Sequence, residues 1–182
     1  MDSSPDSLAL LDREDGRLSR KSDEVIDFKD PDFQRFIDEL IRCGEENMGV
    51  GIAAPQVGHS DRLFIMAPKP GPRYPDSPEM APFAVINPEI LRSYGEIQKA
   101  WEGCLSVPGY RGMVPRHESV EVAYLDRHGV RQETTYTGFI ARIFQHEFDH
   151  LEGVLYPQRM EKEDSLLSLD EYTERTGIQV PR

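Results

Sequence analysis

Phe33, Phe36, Ile37, Leu40 and Ile41 fall at i, i+3, i+4, i+7 and i+8, the apolar stripe of an amphipathic helix. Asp30 and Pro31 suit its start, as N-cap and first helical residue, and Gly44 is the expected stop. Residues 62–66, 83–87 and 90–97 read as strands. Two more, 118–125 and 130–136, flank Asp126, Arg127, His128 and Gly129, a hairpin signal with glycine at the tight position. A second helix is predicted over 138–152, where Phe139, Ile140, Ile143, Phe144 and Leu151 place apolar groups on nearly every side. A helix apolar all round belongs in an interior. The polar stretch 1–16 reads as an irregular N-terminal arm, and the Pro- and Gly-rich 68–82 as an extended loop. Residues 161–182 form an acidic C-terminal tail with a short helix near 165–172. The expectation is one catalytic α+β domain over 1–182, with antiparallel strands packed around a buried central helix.

Length and composition narrow the function. A chain of 182 residues, 38% hydrophobic and 30% charged, can bury a sizeable core as a soluble globular protein. No apolar run approaches the ~20 residues that cross a bilayer. No signal or transit segment is apparent, so a cytoplasmic location is expected. The formal charge of −12 argues against direct nucleic-acid binding, which calls for a basic patch. Two cysteines, Cys43 and Cys104, fit a reducing compartment better than a disulfide framework.

The chemistry gathers on the second helix. His146 and His150 are one turn apart and share a face, so both imidazoles can reach one divalent metal, with Glu147 beside them as a proton carrier. Glu147, Asp149 and Glu152 are costly in so apolar a helix unless they find partners. Upstream, Cys104 lies in a Gly- and Pro-punctuated stretch and could be a core thiol, a nucleophile or a ligand. With HExxH about 40 residues downstream, a third metal ligand is the most economical reading, and it leaves one coordination position open, as catalytic sites do. The small residues of 49–58 imply that the backbone passes close to something there. A supporting ion pair between Glu102 and Arg111 is a further expectation.

Three stretches, 49–56 (GVGIAAPQ), 102–106 (EGCLS) and 145–150 (QHEFDH), resemble in order and spacing the signature motifs of the peptide deformylases, and 107–112 and 138–142 extend the likeness. The resemblance covers residues 18 to 160 and implies removal of the N-formyl group from the initiator methionine of new polypeptides, with release of formate. It implies one divalent metal on Cys104, His146 and His150, most often Fe2+, with Zn2+, Ni2+ or Co2+ able to take the site. It also implies that Gln56 and the backbone N–H of Leu105 stabilise the developing oxyanion. Gly51 would let substrate backbone lie alongside, and Val50, Phe139 and Ile143 are candidates for the methionine pocket. N-formylmethionyl nascent peptides would be the substrates. Transient ribosome contact would follow, although an acidic tail departs from the basic docking helix of some bacterial members. The rival readings are a zinc endopeptidase, which would take His or Glu downstream as its third ligand, and a catalytically silent metal-binding module on nascent chains.

Overall fold

The computed structural model describes residues 8–71 and 74–180. Helix α1, Pro31–Glu46, starts as its sequence dictates: the Asp30 carboxylate accepts from the Asp32 N–H at 2.9 Å and Pro31 takes the first position. It does not stop at Gly44. That glycine is buried in the helix, where a Cβ would come within 3.0 Å of the Ile52 side chain, so it is there for close approach and the helix runs on to Glu46.

Strands β1 (Gly51–Ala53), β2 (Leu63–Met66), β3 (Phe83–Cys104), β4 (Val107–Leu125) and β5 (Arg131–Thr137) lie side by side in chain order, and every pairing is antiparallel. All four residues of β2 are buried because both faces of the sheet are covered. Leu63 and Ile65 pack with Phe36, Ile37 and Leu40 of α1. Phe64 and Met66 point the other way, into a cluster with Val120, Val122, Ala141, Ile143 and Phe144.

The separate strands expected at 83–87 and 90–97 are one 22-residue strand, β3, and the strand expected at 118 begins eleven residues earlier as β4. Irregular register between Ile86 and Glu89, Ile90 and Arg92, and Tyr94 and Ile97 lets one strand bend where the sequence pattern reads as broken. Cys104 pairs with Val107 across a two-residue turn of Leu105 and Ser106, which sets the cysteine at a hairpin tip. Behind that tip β4 bulges, and Tyr110 and Arg111 pair with the short strand β6, Leu167–Ser168.

Helix α2, Gly138–Leu151, follows β5 and carries both histidines. Helix α3, Leu169–Thr176, begins later than the sequence reading because Ser168 is its N-cap, locked in a reciprocal box with Glu171. The acidic C-terminal segment is docked rather than loose: Tyr172 is buried edge-on against Trp101 at 5.3 Å, and Lys99 contacts both Glu161 and Asp164. Of the N-terminal arm, residues 1–7 lie outside the described residues, as do 72–73 of the 68–82 loop and 181–182 of the tail. Residues 8–15 have no helix or strand, and Leu8 and Leu10 pack against the α1 cluster.

Candidate active site

Three elements that are distant in sequence converge at one cleft. The tip of the β3–β4 hairpin brings Cys104, α2 brings His146, Glu147 and His150, and the one-turn 3-10 helix Ala54–Val57 brings Gln56. One ligand atom from each of Cys104, His146 and His150 lies within 4.8 Å of the others. Cys104 Sγ is 3.3 Å from His150 Nε2, close to the ~3.5 Å edge expected between sulfur and nitrogen around a tetrahedral ion. The donor set therefore fits a divalent metal.

The histidines sit in unlike environments. His146 Nδ1 is 2.8 Å from Glu102 Oε2, so the carboxylate fixes the ring and leaves Nε2 to face the cysteine. Burial would lower the His146 pKa, but its contacts with Cys104 and Glu102 override that and hold it well above its ordinary value. His150 goes the other way. Burial, and then the positive charges of His146 and Arg116, push it well below its ordinary value, which keeps its lone pair available. Its Nδ1 has no hydrogen-bond partner among the described residues.

Glu102 is the hub of the support beneath the histidines. It accepts from Arg116 Nε and Nη2 at 3.0 Å each and from Arg142 Nη1 at 2.8 Å. Burial works to raise its carboxyl, yet its contacts with His146 and Arg116 win and hold it far below the ordinary carboxylate range. Arg116 also donates from Nη1 to Asp149 at 2.5 Å, and Arg159 completes Asp149 at 2.7 and 3.1 Å. The Glu102–Arg111 pair expected from the sequence does not form. Arg111 donates to the Tyr110 carbonyl and lies over Gly103, where any Cβ would collide with its guanidinium, while Arg116 and Arg142 hold the carboxylate. A strand beginning at 118 leaves Arg116 outside it, so the local pattern does not mark this residue. On β4 the even positions 112, 114, 116, 120 and 122 are all buried, so a charged residue in the apolar phase was the available signal.

Glu147 is different. It is 4% exposed, its Oε2 has no hydrogen-bond partner among the described residues, and burial raises its carboxyl from 4.5 to about 7. Gly51 lies against it: a Cβ there would fall within 2.8 Å of Glu147 Cγ and Cδ, so the glycine is bare to admit the carboxylate. Gln56 is held by its carbonyl oxygen, which accepts from the Ala53 N–H at 2.9 Å. That turns its amide nitrogen toward Cys104 Sγ at 3.3 Å and Ser106 Oγ at 3.2 Å.

Val50, Gly51, Leu105, Phe139 and Ile143 line the same cleft as Gln56, Cys104, His146 and Glu147. Met48, Tyr74, Trp101 and Arg142 line it too, and the sequence reading did not single them out. Tyr74 packs on Phe139 at 4.8 Å between ring centres, a contact across the extended loop that no local pattern announces. Tyr156, also missed, is buried and stacks on the His146 ring at 6.2 Å.

A family model described as polypeptide deformylase matches residues 8–165. Peptide deformylase 2 of a Nostoc species is 50% identical over 170 residues, spanning 93% of this chain and 95% of that protein. Among solved structures, a Met-Ala-Ser-bound class I type b peptide deformylase from Acinetobacter baumannii is 42% identical with a TM-score of 0.80, covering 84% of this chain and 98% of that one. A peptide deformylase from Synechococcus elongatus in complex with actinonin is 34% identical with a TM-score of 0.78, covering 98% of this chain and 90% of that one.

Proposed function

We propose residue roles for a chain that belongs to the polypeptide deformylase family and has its fold, an antiparallel sheet with three helices. Its reaction is metal-dependent hydrolysis of the N-formyl group from the N-terminal methionine of newly synthesised polypeptides, with release of formate. Cys104, His146 and His150 would hold the single ion, Fe2+ by preference, with Zn2+, Ni2+ or Co2+ as substitutes. A divalent ion supplies Lewis acidity, which lowers the pKa of water and polarises a carbonyl. Glu147 takes the proton of the attacking water and delivers it to the departing amine. Its carboxyl, near 7, suits both directions of transfer at neutral pH.

The Gln56 amide and the Leu105 N–H stabilise the developing oxyanion. The locked orientation of Gln56 supports this, and a donor of that kind is worth roughly 10²–10³ in rate. Val50, Phe139 and Ile143 take the methionine side chain, and Gly51 lies along the substrate backbone. The Met-Ala-Ser held by the Acinetobacter relative supports a peptide running from this cleft.

We take residues 1–182 as one catalytic domain built around α2, with 1–16 as its arm and 161–182 as its acidic tail. Among the described residues no helix is long and apolar enough to cross a membrane. We place the enzyme in the cytoplasm, acting on formylmethionyl nascent peptides, and the acidic tail argues for ribosome contact that is transient rather than tight.

The observation that carries this reading is the convergence of three donor atoms beside the buried Glu147 carboxylate, whose Oε2 has no hydrogen-bond partner among the described residues, in an open cleft. Its test is formate release from formyl-Met-Ala-Ser, run without oxygen and with metal content measured on the same sample. Chelation should abolish release, and Fe2+ should restore it more fully than Zn2+. Turnover that continues without metal would sink the ligand assignment.

A further inference from the structure

Trp101 is the one tryptophan of the chain, and the catalytic cleft and the C-terminal helix meet on it. It lines the cleft together with Gly103, Phe139 and Arg142. It is also where α3 lands. Tyr172 meets the indole edge-on, with ring centres 5.3 Å apart and planes at 81°, and the Arg175 guanidinium lies 5.6 Å from the ring centre. Those two residues are three apart on a helix and so share one face. The rest of the C-terminal segment is fastened to the same strand pair. Lys99, which shares a side of β3 with Trp101, contacts Glu161 and Asp164, and Leu167 and Ser168 pair with Arg111 and Tyr110 of β4. A segment whose sequence reads as an acidic tail therefore holds a wall of the active site.

The indole is half-buried, so it keeps surface for a ligand after α3 has taken its share. Helix α3 and the residue before it also border the way out of the cleft. Ser168, Leu169 and Asp170 line an adjoining groove, and Met48, Leu105 and Arg111 belong to both groove and cleft. A peptide whose methionine is held by Val50, Phe139 and Ile143, and which leaves by that groove, passes this mouth. In an extended peptide successive side chains point to opposite sides, so when methionine points into its pocket the next side chain points back toward the mouth. A broad, partly exposed indole suits an apolar or aromatic side chain there. On the substrate placement given above, we propose that Trp101 is a specificity residue that contacts the side chain after methionine and favours large apolar residues at that position. Tyr172 of α3 is the positioning residue that fixes the indole.

With no other tryptophan in the chain, indole emission reports on this residue alone. The zinc-loaded full chain is titrated with Met-Leu-Ser and Met-Gly-Ser, which lack the formyl group and are not turned over. Met-Leu-Ser should shift the emission saturably and half-saturate at a concentration about three- to tenfold lower than Met-Gly-Ser. Formate release from the two formylated peptides then gives the preference as a ratio of kcat/KM. Trp101→Ala should bring that ratio close to one. Tyr172→Leu should lose most of it through a raised KM for formyl-Met-Leu-Ser, with kcat within about twofold of wild type, and Tyr172→Phe, which keeps the ring, should restore it. Emission that saturating Met-Leu-Ser leaves unmoved, or a preference that survives Trp101→Ala, overturns the proposal. A Tyr172→Leu loss that falls on kcat, or equally on both peptides, removes Tyr172 from the specificity. Equal turnover of both peptides by wild type overturns the contact and leaves the deformylase site standing, whereas no release from either by the metal-loaded chain sinks the substrate placement along with it.

Discussion

Helices α1 and α2 cover opposite faces of the same sheet and are buried by opposite means. Every buried residue of α1 is apolar or small: Phe33, Phe36, Ile37, Leu40, Cys43 and Gly44. Helix α2 buries Gln145, Glu147, Asp149 and His150 among its apolar residues. The buried face of the first is held by area removed from water, and its polar contacts, such as Gln34 and Asp38 with Arg127, lie outside that face. The second also depends on side chains from elsewhere: Gln145 bonds the backbone of His117, Asp149 is met by Arg116 and Arg159, and His146 by Glu102. The contrast isolates Glu147. It is a buried carboxylate on α2 whose Oε2 goes without a hydrogen-bond partner among the described residues, a burial that packing alone does not offset.

The sharpest way to break that contrast is Glu147→Gln. A neutral amide is less costly to bury, so thermal stability should hold or rise while formate release falls by roughly 10²–10⁴ with metal retained. A variant that keeps its rate would remove Glu147 from the mechanism. Arg116→Leu tests the partners. It strips Glu102 of two hydrogen bonds and Asp149 of one inside the protein, and should cost about 3–5 kcal/mol in urea unfolding and lower the metal content as His146 loses its fixed orientation. Unfolding at the wild-type midpoint would mean that the network contributes little.

On the other face, Leu40→Ala should cost about 2–5 kcal/mol, depending on how far the site collapses, with no change in formate release per folded molecule. Loss of specific activity there would show that the two faces are not independent. The smallest effect should come from Asp30→Ala, which removes the α1 N-cap for about 1 kcal/mol, read as a shifted unfolding midpoint at unchanged activity.

Whatever depends on neighbours a few residues apart was legible in the chain itself. The stripe and cap of α1, the hairpin turn at 126–129, and the one-turn spacing of His146 and His150 are set by local periodicity and backbone geometry, and they stand as read. The three motifs name Gln56, Cys104, His146, Glu147 and His150, and the structure brings these residues together. How far a strand runs and who pairs with whom follow from packing between elements. β3 continues through irregular register because its partner β4 holds it, and Gly44 stays helical because Ile52 packs on it. Glu102 chose Arg116 and Arg142 over the nearer Arg111, since β4 turns Arg116 inward at an even position while Arg111 lies across Gly103. Charges separated along the chain can be matched only once strand phase and sheet order put them on one face, and that is decided by packing over the whole molecule rather than by spacing along it.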